Sequence, residues 1–169
     1  MRISPPATTS TPHSRLSPET VVMARVLAID YGERRIGLAM SDPSRVLATP
    51  LETLARRRGK RPPIAALLAL IAAHGVDEIV VGLPLTLAGD DSDWTREVRA
   101  FGERLGERAS LPVSFVDERL TSVQAERAVR SLGMPKHERE RKERVDAAAA
   151  MLILQSFLDA RRRRSDAED

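Results

Sequence analysis

The sequence predicts an α/β fold. Its core is a mixed central sheet, a three-strand antiparallel meander followed by βα units, with helices on both faces. Two observations carry this. Near the N-terminus, two apolar runs at residues 25–31 and 35–41 are separated by a short turn at Gly32, and a third candidate strand at 45–49 follows an Asp42-Pro43 turn. Beyond them, helical periodicities alternate with short continuous apolar runs, the pattern of parallel strands covered on both sides.

The remaining elements follow in order. Residues 51–61 read as a charged connector. Pro63 opens a helix that runs through His74, with Ile64, Leu67, Leu68 and Ile71 on one face and Gly75 as its stop. The His74 imidazole there suits the negative end of the helix dipole better than a catalytic role. Residues 78–81 form a short strand that Gly82-Leu83-Pro84 ends. Asp91 or Ser92 caps the next helix, where Trp94, Val98, Phe101 and Leu105 recur at helical spacing and so belong to the core. A strand at 113–116 runs into Asp117-Glu118-Arg119. Thr121 and Gln124 form a capping box for a helix ending near Gly133. Residues 136–144 are all charged or His and read as a mobile basic loop, ahead of an apolar helix at 145–158 and the basic run 161–164.

The 169 residues suit one domain. Its expected span is 25–160, between a Ser/Thr/Pro-rich disordered tail at 1–24 and a charged C-terminal tail at 161–169. Met23, just ahead of the first strand, is a natural alternative start. No cysteine is present, which excludes disulfides and thiolate-held zinc or iron–sulfur centres, and three histidines leave carboxylates as the main metal ligands. Such ligands favour hard cations, magnesium or manganese. Of the 27 basic residues 24 are arginine, the side chain that grips phosphate with a planar fork, although a GC-rich coding bias explains the same excess. Aromatics make up only 3%, so nucleic-acid recognition would rest on phosphate and shape rather than on extensive base stacking. Residues 1–24 lack the apolar run of a secretory signal and no apolar run is long enough to cross a membrane, so the expected location is the cytoplasm.

Three acids stand out because their surroundings are apolar. Asp30 ends the run Val26-Leu27-Ala28-Ile29, Glu118 follows a strand beside Asp117, and Asp146 precedes Ala147 through Leu154 on a helical face shared with Ala149, Ala150, Ile153 and Phe157. Two carboxylates about 4 Å apart repel by roughly 4 kcal/mol at an effective dielectric of 20. Convergence of all three is therefore tolerable only if they stay protonated or hold divalent cations. Each also has an ordinary reading: Asp30 capping the Tyr31-Gly32 turn, Glu118 pairing with Arg119 or Arg35, Asp146 satisfying amides at a helix start. Strand alternation lets only one of Asp117 and Glu118 face the other acids, and Glu118 is the one expected to do so. Gly32 and Gly37 frame a tight turn that a phosphate could approach. Arg35 and Arg119, with Lys136, Arg139, Lys142 and Arg144 of the basic run, are the candidate nucleic-acid contacts.

The segments AIDYGERRIGLAMSD at 28–42, VVGLPLTLAG at 80–89, VDERLTSVQAE at 116–126 and RVDAAAAMLILQSFL at 144–158 resemble the YqgF/RuvX family, described as pre-16S rRNA nucleases or Holliday-junction resolvase-like proteins. The resemblance implies an RNase H-like fold and an acidic active site at Asp30, Glu118 and Asp146. It also implies a family role for Gly32, Arg35 and Gly37. Thr86 departs from the asparagine that many relatives carry after GLPL, though its hydroxyl can still hydrogen-bond. The expected function is metal-dependent trimming of a ribosomal RNA precursor at its 5′ side, by a monomer or weak homodimer with no membrane partner. Three alternatives stay open. Resolution of branched four-way DNA would need two coordinated cuts and a symmetric dimer. A nucleotide-binding ATPase of the actin and sugar-kinase class normally needs two such domains. A non-catalytic RNA-binding factor would use the arginines alone.

Overall fold

The computed structural model describes residues 24–56, 59–119, 121 and 138–168, with the backbone alone for 138–145. The tail expected at 1–24 lies outside them except for Ala24, as does the helix expected from Thr121 to Gly133 except for Thr121. The described elements are β1 (Arg25–Tyr31), β2 (Arg35–Ser41), β3 (Ala48–Pro50), β4 (Leu54–Ala55), α1 (Ile64–His74), β5 (Val76–Leu83), α2 (Asp93–Ala109), β6 (Val113–Asp117) and α3 (Glu138–Glu168).

The strands form one mixed sheet in the order β3-β2-β1-β5-β6, with β4 also paired to β2. The meander β1-β2-β3 is antiparallel, and β5 and β6 run parallel to β1. Alternation along β1 sorts the core into two layers. Leu27, Ile29 and Tyr31 pack with Leu67, Ile71, Val98, Phe101 and Leu105 of α1 and α2. Val26 and Ala28 pack on the other side with Ala150, Ile153, Leu154 and Leu158 of α3. Helices therefore cover both faces.

Capping follows the local chemistry. Ser92 accepts the Thr95 amide while Thr95 reaches back to the Ser92 amide, so the cap falls on Ser92 rather than Asp91. Gly75 ends α1 in the left-handed region at φ 63° and donates its N–H to the Ile71 carbonyl.

Four boundaries differ from expectation. The third strand begins at Ala48 rather than at residue 45, because the Asp42 carboxylate accepts the amides of Val46 and Leu47, both at 2.8 Å, and holds that stretch in a turn. The connector contains β4, whose Leu54 pairs with Ile36 and buries itself against the α1/α2 layer. β5 runs through Gly82 and Leu83 and stops only at Pro84, which has no amide to continue the ladder. The described part of the basic run is not a loop: α3 is helical from Glu138 and continues past Leu158 to Glu168, taking in residues 138–144 of the run and the arginines at 161–164. Glu, Arg and Lys are good helix formers, no Gly or Pro interrupts residues 138–168, and Glu138–Lys142 and Glu140–Arg144 have the favourable spacing of four.

Gly37 decides how closely α3 can approach the sheet. A β-carbon placed on it would lie 2.2 Å from the backbone carbonyl oxygen of Asp146 and 3.2 Å from the Asp146 Cβ. Backbone rather than a flexible side-chain tip fills that space, so no side-chain rotation relieves the overlap. Gly37→Ala is expected to push the Asp146 turn of α3 off the sheet and cost about 1–3 kcal/mol, measurable as a lower urea midpoint with the slope unchanged.

Candidate active site

Asp30 sits at the penultimate position of β1, paired in register with Gly37 of β2. It follows Val26 and Ala28 on the face that α3 covers. The absence of a side chain at Gly37 lets the helix press Asp146 onto that spot from above. Glu118 reaches the same spot from the end of β6. Val116, two residues before it, packs into the α3 layer, whereas Phe115 packs into the α1/α2 layer. Alternation therefore turns Glu118 toward α3 and Asp117 away. Gly82, next to β6 in the sheet, leaves the room Glu118 needs, since a β-carbon there would lie 2.8 Å from its Oε2. The backbone of Glu118 is held from both sides. Its N–H donates to the Leu83 carbonyl at 3.2 Å, and its carbonyl accepts the Thr121 N–H at 3.0 Å. The Thr121 hydroxyl also donates to that carbonyl, at 2.8 Å.

The three carboxyls are electrostatically one group. Burial, then the charges of Glu118 and Asp146, push the Asp30 pKa up to about 8. A hydrogen bond between Asp30 and Glu118 raises Asp30 and lowers Glu118, which makes Asp30 the proton donor. Burial nonetheless holds Glu118 above the usual carboxylate range, with Asp117 adding to the rise. Among the described residues no three acids or histidines are already drawn tightly enough to enclose a metal ion. A shared proton does part of the neutralising that a cation would do.

The other sequence candidates divide. Arg35 opens β2 and is half-buried; alternation puts it on the acid-bearing face, two residues from Gly37. Gly32 closes the β1–β2 turn, donating its N–H to the Arg35 carbonyl at 2.9 Å, and a β-carbon there would meet the same oxygen at 2.6 Å. That turn accounts for the glycine without any phosphate. Arg119 is engaged within the protein: its guanidinium grips the Asp117 carboxylate at 2.5–3.0 Å and donates to the carbonyls of Thr86 and Leu87 at 3.2 and 3.1 Å. It holds Asp117 below the ordinary carboxylate range and clamps the loop after β5 to the end of β6. Thr86 completes that loop by accepting the Asp90 amide on its hydroxyl at 3.0 Å. Arg139, Lys142 and Arg144 lie on the first turns of α3, and Lys136 lies outside the described residues.

The roles of two residues escaped the sequence reading. Gly37 was assigned to the turn but serves helix docking; a glycine inside an apolar strand is the signal for such close approach. Arg56, in the supposed connector, donates to the Gly32 carbonyl at 3.1 Å and to Glu97 at 2.6 Å, and lies 4.4 Å over the Tyr31 ring. Nothing in the local sequence marks it.

A six-stranded mixed sheet with helices on both faces and acids gathered at the ends of β1 and β6 defines an RNase H-like α/β protein. Among solved structures, Thermus thermophilus RuvC in complex with a Holliday junction substrate has the same fold, with a TM-score of 0.50 over 81% of this chain and 95% of that one, at 18% identity. The chain belongs to the RuvX family, described as Holliday junction resolvase, whose pattern matches residues 24–160. Relatives in Koribacter versatilis and Roseiflexus sp. are 47% and 45% identical over 142 and 138 residues. The alignments cover 84% and 82% of this chain and 91% and 96% of theirs. Both carry the name "Putative pre-16S rRNA nuclease".

The raised Asp30 pKa sets a pH signature for the metal-free protein. Between about pH 4 and the folded value of about 8, the unfolded chain has released this proton and the folded one retains it. Stability therefore falls as pH rises through that window and levels off above it. Asp30→Asn should flatten the slope and leave the protein at least as stable at pH 8, as read by urea titrations in EDTA across pH 5–9.

Proposed function

We propose that this chain is a divalent-metal-dependent nuclease, with Asp30, Glu118 and Asp146 as ligands, and that it trims the 5′ side of the 16S ribosomal RNA precursor in the cytoplasm. The observation that carries the chemistry is the convergence of three carboxyls from β1, β6 and α3 on one buried sheet face, where burial first and the neighbouring charges second keep a proton on Asp30. An all-oxygen anionic donor set fits a hard cation, magnesium or manganese, which would replace that proton. When bound, such ions stabilise developing charge on a phosphodiester and activate water for attack. The chain's own part is to hold the acids at their positions: Gly37 seats Asp146, and Thr121 and Leu83 fix Glu118. Arg35, on the same face, is placed to hold a substrate phosphate. The names of the relatives support the ribosomal substrate. No helix among the described residues is long and apolar enough to span a bilayer.

A second reading, resolution of four-way DNA junctions, is favoured by the family's description and by the RuvC-like fold. It requires a dimer that places two acid sites on one junction.

The test is cleavage of labelled precursor RNA and of junction DNA with magnesium or manganese. Asp30→Asn, Glu118→Gln and Asp146→Asn should each lower cleavage by more than about 100-fold, with circular dichroism unchanged. Full activity in any of the three removes the proposal. Cleavage confined to junctions, by a dimer in solution, shifts it to the second reading. Adding manganese to the metal-free wild type at pH 7 should also release protons, measurable by calorimetry in buffers of different ionisation enthalpy, and Asp30→Asn should reduce that release.

A further inference from the structure

At the far end of the acid-bearing face, α3 and the strands enclose a groove of about 320 Å³ lined by Glu78, Ser114, Phe157, Ala160, Arg161 and Arg164. Its helix side repeats at the spacing of one face, Phe157, Ala160, Arg161 and Arg164, so the basic run 161–164 sends two of its four arginines to the sheet and two elsewhere. Its strand side is Ser114, which shares a face of β6 with Val116 and Glu118. The groove therefore lies on the same side of the sheet as the acids, about 13 Å from Glu118 along β6 and about 22 Å from Asp146 along α3.

Its charges are arranged to receive an anion. Arg161 is aimed by the Glu78 carboxylate at 2.6 Å, and that carboxylate is already shared with Arg45 at 3.1 Å. Arg45 in turn pairs with Asp77. Arg164 and the Ser114 hydroxyl make no side-chain hydrogen bond or ion pair among the described residues. The half-buried Phe157 adds an apolar part to the lining.

We propose that this groove is a second nucleic-acid subsite, which holds one nucleotide unit of a single strand through Arg161, Arg164 and Ser114 while a phosphodiester further along the same strand lies at the acids. The volume is at the low end of small-ligand pockets, which suits one nucleotide and not a duplex. Two arginines against the one carboxylate of Glu78, with a hydroxyl beside them, match a phosphate, and Phe157 is the aromatic side chain of the lining that a base would meet. The subsite rests on the nuclease reading for its purpose, but not for its affinity.

The experiment is binding of fluorescent single-stranded RNA to the full chain in EDTA, across a salt series, alongside cleavage with manganese. Arg161→Gln/Arg164→Gln should weaken binding about tenfold at low salt and reduce the slope of log Kd against log salt by about 1.4, the value for two lost contacts on a single strand. Arg164→Gln alone, which breaks no contact within the protein, should reduce the slope by about 0.7 and keeps the test informative if the double variant does not fold. Arg162→Gln/Arg163→Gln should change binding much less. Equal losses in the two double variants would mean diffuse attraction and overturn the subsite, as would an unchanged slope in Arg164→Gln. So would displacement by an acidic peptide as effective as by RNA. If no variant, nor the wild type, cleaves RNA or junctions, yet the groove arginines still govern the slope, the nuclease reading fails and the subsite stands.

Discussion

The contact between the backbone of α3 at Asp146 and the bare α-carbon of Gly37 is the constraint on which the site depends. It brings a helix from late in the chain to within backbone distance of the second strand, opposite Asp30. The apolar face of α3, from Ala149 to Leu158, supplies the burial that holds it there. The glycine determines how deep its polar end sits. Gly82 plays a matching part for Glu118, so two positions without side chains make room for three carboxyls.

Packing and charge are opposed in this arrangement. The α3 layer is built from small and aliphatic residues, Val26, Ala28, Ala39, Val80, Ala150 and Ile153, which lower the local dielectric around the acids. That burial is the largest cause of the raised Asp30 pKa, ahead of its neighbours' charges. A proton shared between Asp30 and Glu118 relieves the conflict without a cation, and a divalent ion would relieve it more fully. Around the acids the ion pairs are spent on structure: Arg119 neutralises Asp117, and Arg56 ties the β1–β2 turn to α2 through Glu97.

Much of this was legible in one dimension. The meander, the alternation of helices and strands and the face of Asp146 all follow from patterns with a period of two or 3.6, which are local. Alternation alone says that only one of Asp117 and Glu118 faces the other acids, and the packing of Val116 and Phe115 on opposite faces decides for Glu118. The reading broke down where local composition was ambiguous. A run of charges such as 138–144 is equally at home in a solvated loop or a solvated helix, and only continuity with the apolar segment behind it decides for helix.

By itself the sequence determined most of the elements, their order and the three acids whose apolar surroundings demanded an explanation, because hydrophobic periodicity and the cost of burying charge act over a few neighbouring residues. The tertiary structure alone decided which residues meet. Gly37 beneath Asp146, Arg56 over Tyr31, Arg119 across two loops, and Arg161 beside Glu78 join positions separated by as many as 109 residues, and no local pattern encodes the distance between surfaces that only folding brings together.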